Sequence, residues 1–197
     1  MSDAVQSGFR RAVRFVAIAN LAYFGIEFAV AQALGSVSLF ADSVDFLEDA
    51  SVNFLILAAL NWPPRRRAQV GMALALILLA PAIATLWTAW RNLTDPHPPD
   101  AAALSLTGLG ALAVNLTCAF ALARYRKIEG SLSKAAFLSA RNDAIANVAI
   151  IAAGLTTLVA QTIWPDLVVG LAIALMNAGA AREVWEAARK EQREAAP

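Results

Sequence analysis

The amino-acid sequence predicts an all-α integral membrane protein: a six-transmembrane-helix bundle with N- and C-termini cytoplasmic. Three observations lead there. Of 197 residues, 59% are hydrophobic and 16% charged, against about 25% charged in a soluble domain, which leaves too little polar surface to cover a soluble fold. The apolar residues gather in six runs near the length, about 20 residues, that a helix needs to cross a bilayer. Finally, 14 of the 16 lysines and arginines fall on one side of a six-span topology, the side that positive charge marks as cytoplasmic. A net charge of +1 excludes a basic nucleic-acid binder. The single cysteine, Cys118, excludes a disulfide framework and a Cys-rich zinc site.

The runs lie at 11–34, 36–61, 67–91, 101–124, 132–160 and 165–185. Gly35-Ser36 separates the first two, and Pro63-Pro64 with Arg65, Arg66 and Arg67 follows the second. Prolines stop helices by lacking a backbone donor and crowding the preceding turn. Pro81, inside the third run, is expected to bend that helix without ending it, since apolar sequence continues on both sides. A proline-rich stretch, Asp95 to Asp100, closes the third run and contains His97, the one histidine. Residues 124–130 break the fourth from the fifth, and Trp164-Pro165-Asp166 opens the sixth. The expected organisation is a cytoplasmic segment over 1–10, a transmembrane domain over 11–185 and a short polar tail over 186–197, helical at its start, with no cytosolic regulatory domain. No cleavable signal peptide is expected, because the first ten residues are polar.

The charges inside the spans are the informative ones. Glu27 lies in the first run, Asp42, Asp45, Glu48 and Asp49 in the second, and Arg141 and Asp143 in the fifth. Each acid would cost roughly 2.5–3.5 kcal/mol at the bilayer centre, so six facing lipid would cost on the order of 15–20 kcal/mol, more than a small protein's whole stability. They must face the bundle interior, water or a cation. At about 100° per residue, Asp42, Asp45, Asp49 and Asn53 share an arc of roughly 80°, with Glu48 about 60° beyond Asp45. Ser139, Asn142, Asp143, Ala146 and Asn147 share a face of the fifth helix, and Arg141 points roughly 160° away from Asp143.

Single polar residues in membrane helices mostly hold helices together, which is the reading for Asn20, Gln32, Asn115, Thr117 and Asn177. Four acids on one helix are a poor glue, since carboxylates repel and supply no donor. They suit a cation. Carboxylates crowded in a poorly solvating medium cannot all ionise without a counter-charge, and a divalent ion supplies it while expelling protons. One set of groups would then bind either metal or protons, as a metal/proton exchanger requires.

The segment Gly35-Ser36-Val37-Ser38-Leu39-Phe40-Ala41-Asp42-Ser43-Val44-Asp45-Phe46-Leu47-Glu48-Asp49 resembles the second-helix signature of the cation diffusion facilitator family: a Gly-Ser start, Ala-Asp-Ser, then His or Asp, three residues, and Asp. Asp143-Ala144-Ile145-Ala146-Asn147 resembles that family's fifth-helix ligand segment, and Trp164 to Gly170 the start of its sixth helix. The first run, with Asn20, Tyr23, Phe24 and Glu27, is similar as well. The resemblance spans about residues 10–190. It implies a zinc-transporter-like exporter of divalent transition metals working by exchange for protons, commonly as a homodimer that alternates between inward-open and outward-open states. Asp45, Asp49 and Asp143 match its metal-ligand positions.

Three differences from the family pattern stand out. Ser139 occupies the fifth-helix position that usually carries His or Asp, the loop after Pro63 lacks the family's His-rich second site, and the common cytosolic domain is not expected. With His97 in an outer loop, the implied site is three carboxylates completed by Ser139, Asn142 or water. An all-oxygen shell suits harder ions such as Mn²⁺ or Mg²⁺, although zinc accepts carboxylates. The cargo expected is Zn²⁺ or a similar ion such as Co²⁺, Mn²⁺ or Fe²⁺, with no permanently bound cofactor. Asp42, Glu48 and Glu27 would surround the site or carry protons, and Arg141 would pair with Glu48 or Glu27.

The expected setting is a plasma or inner membrane, with the lipid bilayer, metal ions and protons as partners. The rival reading is a non-transporting metal-binding subunit or sensor on the same fold. An enzyme is not expected, because no nucleophile–base pair or zinc-protease motif is present. Cys118 reads as a small packing residue, and Gly170, Ala174 and Ala178 as a close helix-packing face.

Overall fold

The computed structural model describes residues 3–59, 62–123 and 131–194, and some helical side chains, those of Ser139 and Arg141 among them, lie outside the described part. The chain forms α1 (Asp3–Leu34), α2 (Val37–Ala59), α3 (Pro64–Thr94), α4 (Ala101–Ala123), α5 (Ser131–Ala160) and α6 (Trp164–Glu194). Among the described residues there is no strand. Each apolar run becomes one helix. The ends differ where polar sequence still favours helix: α1 starts at Asp3, and α6 continues to Glu194 as the tail composition predicts. α3 runs unbroken through Pro81.

Among the described residues three segments are long and apolar enough to cross a membrane: Ser7–Leu34, Ala101–Ala123 and Asn142–Ala160. The apolar part of α6, Trp164–Gly179, is shorter, and α2 is interrupted by its four acids. Four of the five tryptophans lie toward helix ends. Trp87 and Trp90 near the end of α3 and Trp164 at the start of α6 are exposed, and Trp62 lies just before α3 with the Arg66 guanidinium 4.6 Å from its ring centroid. Amphipathic rings favour such positions, at the level of the lipid headgroups.

Helix packing puts α2 at the centre. α1, α2, α5 and α4 close a ring in which each packs on the next, while α3 and α6 pair with each other and dock on α2. α6 also reaches α5. Leu39, Phe40, Ala41 and Val44 of α2 pack with Leu104, Ile150 and Ile173 in the main core, and Val13 and Val16 of α1 pack with Cys118 and Leu122 of α4 in a second. Because α2 is covered on most sides, its carboxylates are held inside the bundle, as their insertion cost requires.

The start of α2 is fixed by local and distant contacts. Gly35 adopts φ +64°, the left-handed conformation that ends a helix. The Ser36 amide then donates to the Ala31 carbonyl at 3.1 Å, and the Ser36 hydroxyl caps α2 by accepting from the Leu39 amide at 3.2 Å. From the start of α6, Asp166 accepts the Val37 amide at 2.8 Å, the Ser38 amide at 3.2 Å, and the hydroxyls of Ser36 and Ser38 at 2.6 and 2.5 Å. One turn on, Gly170 lets the backbones meet: a Cβ there would stand 2.6 Å from the Ser38 nitrogen. Of the small-residue stripe, Gly170 and Ala174 are buried while Ala178 is exposed, so the packing face ends before Ala178.

Candidate metal centre

The acids of α2 and the polar face of α5 do meet. A cavity of about 160 Å³ is lined by Asp45, Glu48 and Asp49 of α2, Asn142 and Asp143 of α5, and Met176 and Asn177 of α6. Asp45 and Asp49 lie 8 and 12 residues into α2, roughly 12 and 18 Å from its start at 1.5 Å per residue, in the middle of that helix. Asp143 meets Asp49 within hydrogen-bonding reach, with Asp42 and Glu48 in its electrostatic field.

Each proposed ligand is positioned by its helix register. Asp45 and Asp49 are one turn apart and face α5 and α6 together. Neighbouring amides hold the frame: Asn20 of α1 donates to Asp49 Oδ2 at 3.3 Å, and Asn177 to the Ala41 carbonyl at 3.1 Å. Asn53 shares the stripe in sequence but turns back on its own helix, donating to the main-chain oxygen of Asp49 at 2.7 Å. Among the described residues no trio of Asp, Glu, His or Cys side chains is already set to hold a metal ion. The carboxylates share one space without a closed cage, and enclosing an ion would take side-chain rotation.

The expected residues divide into two groups. Asp45, Asp49, Asp143, Asn142 and Glu48 line the cavity; Glu48, expected around the site, is on its wall. Asp42 and Glu27 do not line it. They form a separate, fully buried pair where α1 meets α2. The Asn147 amide donates to Asp42 Oδ2 at 2.7 Å, and Asn115 donates to Asn147 Oδ1 at 3.3 Å. Among the described residues Asp42 Oδ1 and both Glu27 oxygens have no hydrogen-bond partner beyond the contact between the two carboxyls themselves. The separation is one of depth: Asp42 is only about 20° from Asp49 around the helix but two turns, about 10 Å, nearer the start of α2. The Ser139 side chain, and the Arg141 side chain with its expected pairing, lie outside the described residues.

The single polar residues part ways too. Asn115 and Asn177 bridge helices as expected, whereas Thr117 bonds the Ala113 carbonyl of its own helix at 2.7 Å and Gln32 lines a second cavity with His97 and Arg91. Asn20 contacts a cavity carboxylate. Cys118 is buried as expected, and its thiol also donates to Asn20 Oδ1 at 3.7 Å. Asp166 had no place among the sequence's candidates. Its partners lie about 130 residues away, and the only local signal was an acid in the first turn of α6.

This bundle combines an acid-lined cavity with helices apolar enough to cross a membrane, a setting that suits a cation. The model of the family described as the cation efflux transmembrane domain matches residues 13–190. The chain belongs to that family and is a membrane protein that transports metal cations. A comparison with curated proteins gives no match.

Proposed function

We propose that this transporter exports Zn²⁺ or a similar divalent ion (Co²⁺, Mn²⁺ or Fe²⁺) from the cytoplasm in exchange for protons, with Asp45, Asp49 and Asp143 as ligands. The observation that carries the reading is the convergence of four carboxylates and two amides on one cavity between α2, α5 and α6. Ionised carboxylates at that density need a cation, and without one they need protons, so metal and proton occupancy exclude each other. Asn142 or Ser139 completes the shell, with Asp42 and Glu27 on the proton path. In this reading residues 11–185 form six spans with both termini cytoplasmic and the protein works as a homodimer, without enzymatic chemistry or a resident cofactor.

The test is metal uptake into vesicles that contain the purified protein, over Zn²⁺, Co²⁺, Cd²⁺, Mn²⁺, Fe²⁺ and Ni²⁺. Uptake of at least one ion, accelerated when the vesicle interior is acidic, is expected. Uptake indifferent to the pH gradient overturns the antiport. Absence of transport for every ion by inserted protein favours the non-transporting sensor or subunit.

A further inference from the structure

Asn20 sits on α1, outside the cavity wall and completely buried. Both ends of its side-chain amide are engaged. Its nitrogen donates to Asp49 Oδ2 at 3.3 Å, and its oxygen accepts the Cys118 thiol from α4 at 3.7 Å. With Asp49 ionised, as in the metal-bound state, this orientation satisfies both neighbours, because an ionised carboxylate can only accept while a thiol can donate. Asn53 does not compete for the carboxylate, since its amide is spent on the Asp49 main chain.

We propose that Asn20 is a positioning residue for cation binding: held from behind by Cys118, it orients the Asp49 carboxylate toward the cavity. The proposal rests on the reading of Asp49 as a ligand. A donor on one oxygen restricts carboxylate rotation. Outer partners of this kind are typically worth 10–100-fold in metal affinity. Through this chain α1 and α4, neither of which lines the cavity, act on the strength of the site. Because Asn20 contributes no ligand, its loss changes how tightly the ion is held without removing the path.

The experiment compares half-saturating Zn²⁺ with maximal uptake rate in vesicles, alongside Zn²⁺ titration of the purified protein, with Mn²⁺ as a second probe. Asn20→Leu keeps the volume and removes the donor. It is expected to raise the half-saturating concentration about tenfold with little change in maximal rate. Asn20→Ala reads the same quantity if the leucine variant does not fold. Cys118→Ser, which keeps a donor behind the amide, is expected to match the parent, and Cys118→Ala to fall between parent and Asn20→Leu. Unchanged half-saturation in the Asn20 variants, with Asp49→Ala inactive, overturns the positioning role and leaves the site intact. Full uptake by Asp49→Ala overturns the site itself, and this proposal with it.

Discussion

Asp166, docked from α6 on the start of α2, and the cavity acids that begin about 12 Å farther along α2 are built in opposite ways. At the start of the helix, Asp166 is 1% exposed and accepts four hydrogen bonds, two from main-chain amides and two from serine hydroxyls. Farther along, Asp45, Glu48, Asp49 and Asp143 converge on open space from two helices. The first arrangement supplies an acid with every donor it needs and ties α6 to α2. The second gathers like charges that repel, which costs stability and is tolerable where a cation or protons complete it. What separates a structural acid from a functional one here is the donor set around it. Burial differs as well, since Asp166 is fully buried while Asp45, Asp49 and Asp143 are half-buried against the cavity.

Substitutions should divide along the same line. The largest effect is expected at the cavity: Asp45→Asn, Asp49→Ala or Asp143→Asn should lower metal uptake by about 100-fold or more, beyond the range for an outer partner. Removing a repelling charge should leave thermal stability equal or higher. A variant that transports normally, or that loses stability in step with activity, would move that residue to the structural group.

Asp166→Ala should do the reverse. It strands two hydroxyls and two main-chain amides at the start of α2, at a cost of about 2–4 kcal/mol, read as a lower melting temperature of the detergent-solubilised protein. Half-saturation by metal should change little in the fraction that remains folded. Gly170→Ala strikes the same junction more gently. Its Cβ must displace backbone at 2.6 Å, an overpacking of about 1–3 kcal/mol. A Gly170→Ala protein as stable as the parent would mean that α6 can slide on α2, and the contrast between a rigid junction and an adaptable cavity would weaken.

The six helices were legible because each is a long apolar run with a proline, glycine or charged break beside it, and such runs have few alternatives in a bilayer. The cavity acids were legible because helical periodicity places Asp45 and Asp49 on one stripe and gives Asp143 a matching face on α5. Which acids belong together was not legible. Asp42 shares the arc of Asp45 and Asp49 in projection, yet it pairs with Glu27 and Asn147 because it lies nearer the start of α2, where different residues of α1 and α5 face that stripe. Asn20 and Asp166 were hidden for a related reason. An asparagine that bridges two helices and one that holds a carboxylate look identical in sequence, and a cap supplied by another helix leaves no pattern near its own position.

The smallest expected change, and the finest division between the two ends of the bundle, concerns the imidazole. His97 is the only histidine; it is exposed in the connection between α3 and α4, 3.3 Å from the equally exposed Asp95. An exposed pair of this kind contributes little and lies far along the chain from every cavity residue, so His97→Ala should leave the ratio of Zn²⁺ to Mn²⁺ uptake unchanged. Ser139→His puts the ring one turn before Asp143 on α5 instead. Nitrogen favours zinc over manganese, since imidazole suits zinc while oxygen shells suit manganese. If residue 139 faces the ion, the uptake ratio should rise toward zinc. An unchanged ratio in Ser139→His would leave the cavity carboxylates and Asn142 as the whole donor set, and a shift in His97→Ala would place part of the selectivity at the opposite end of the path.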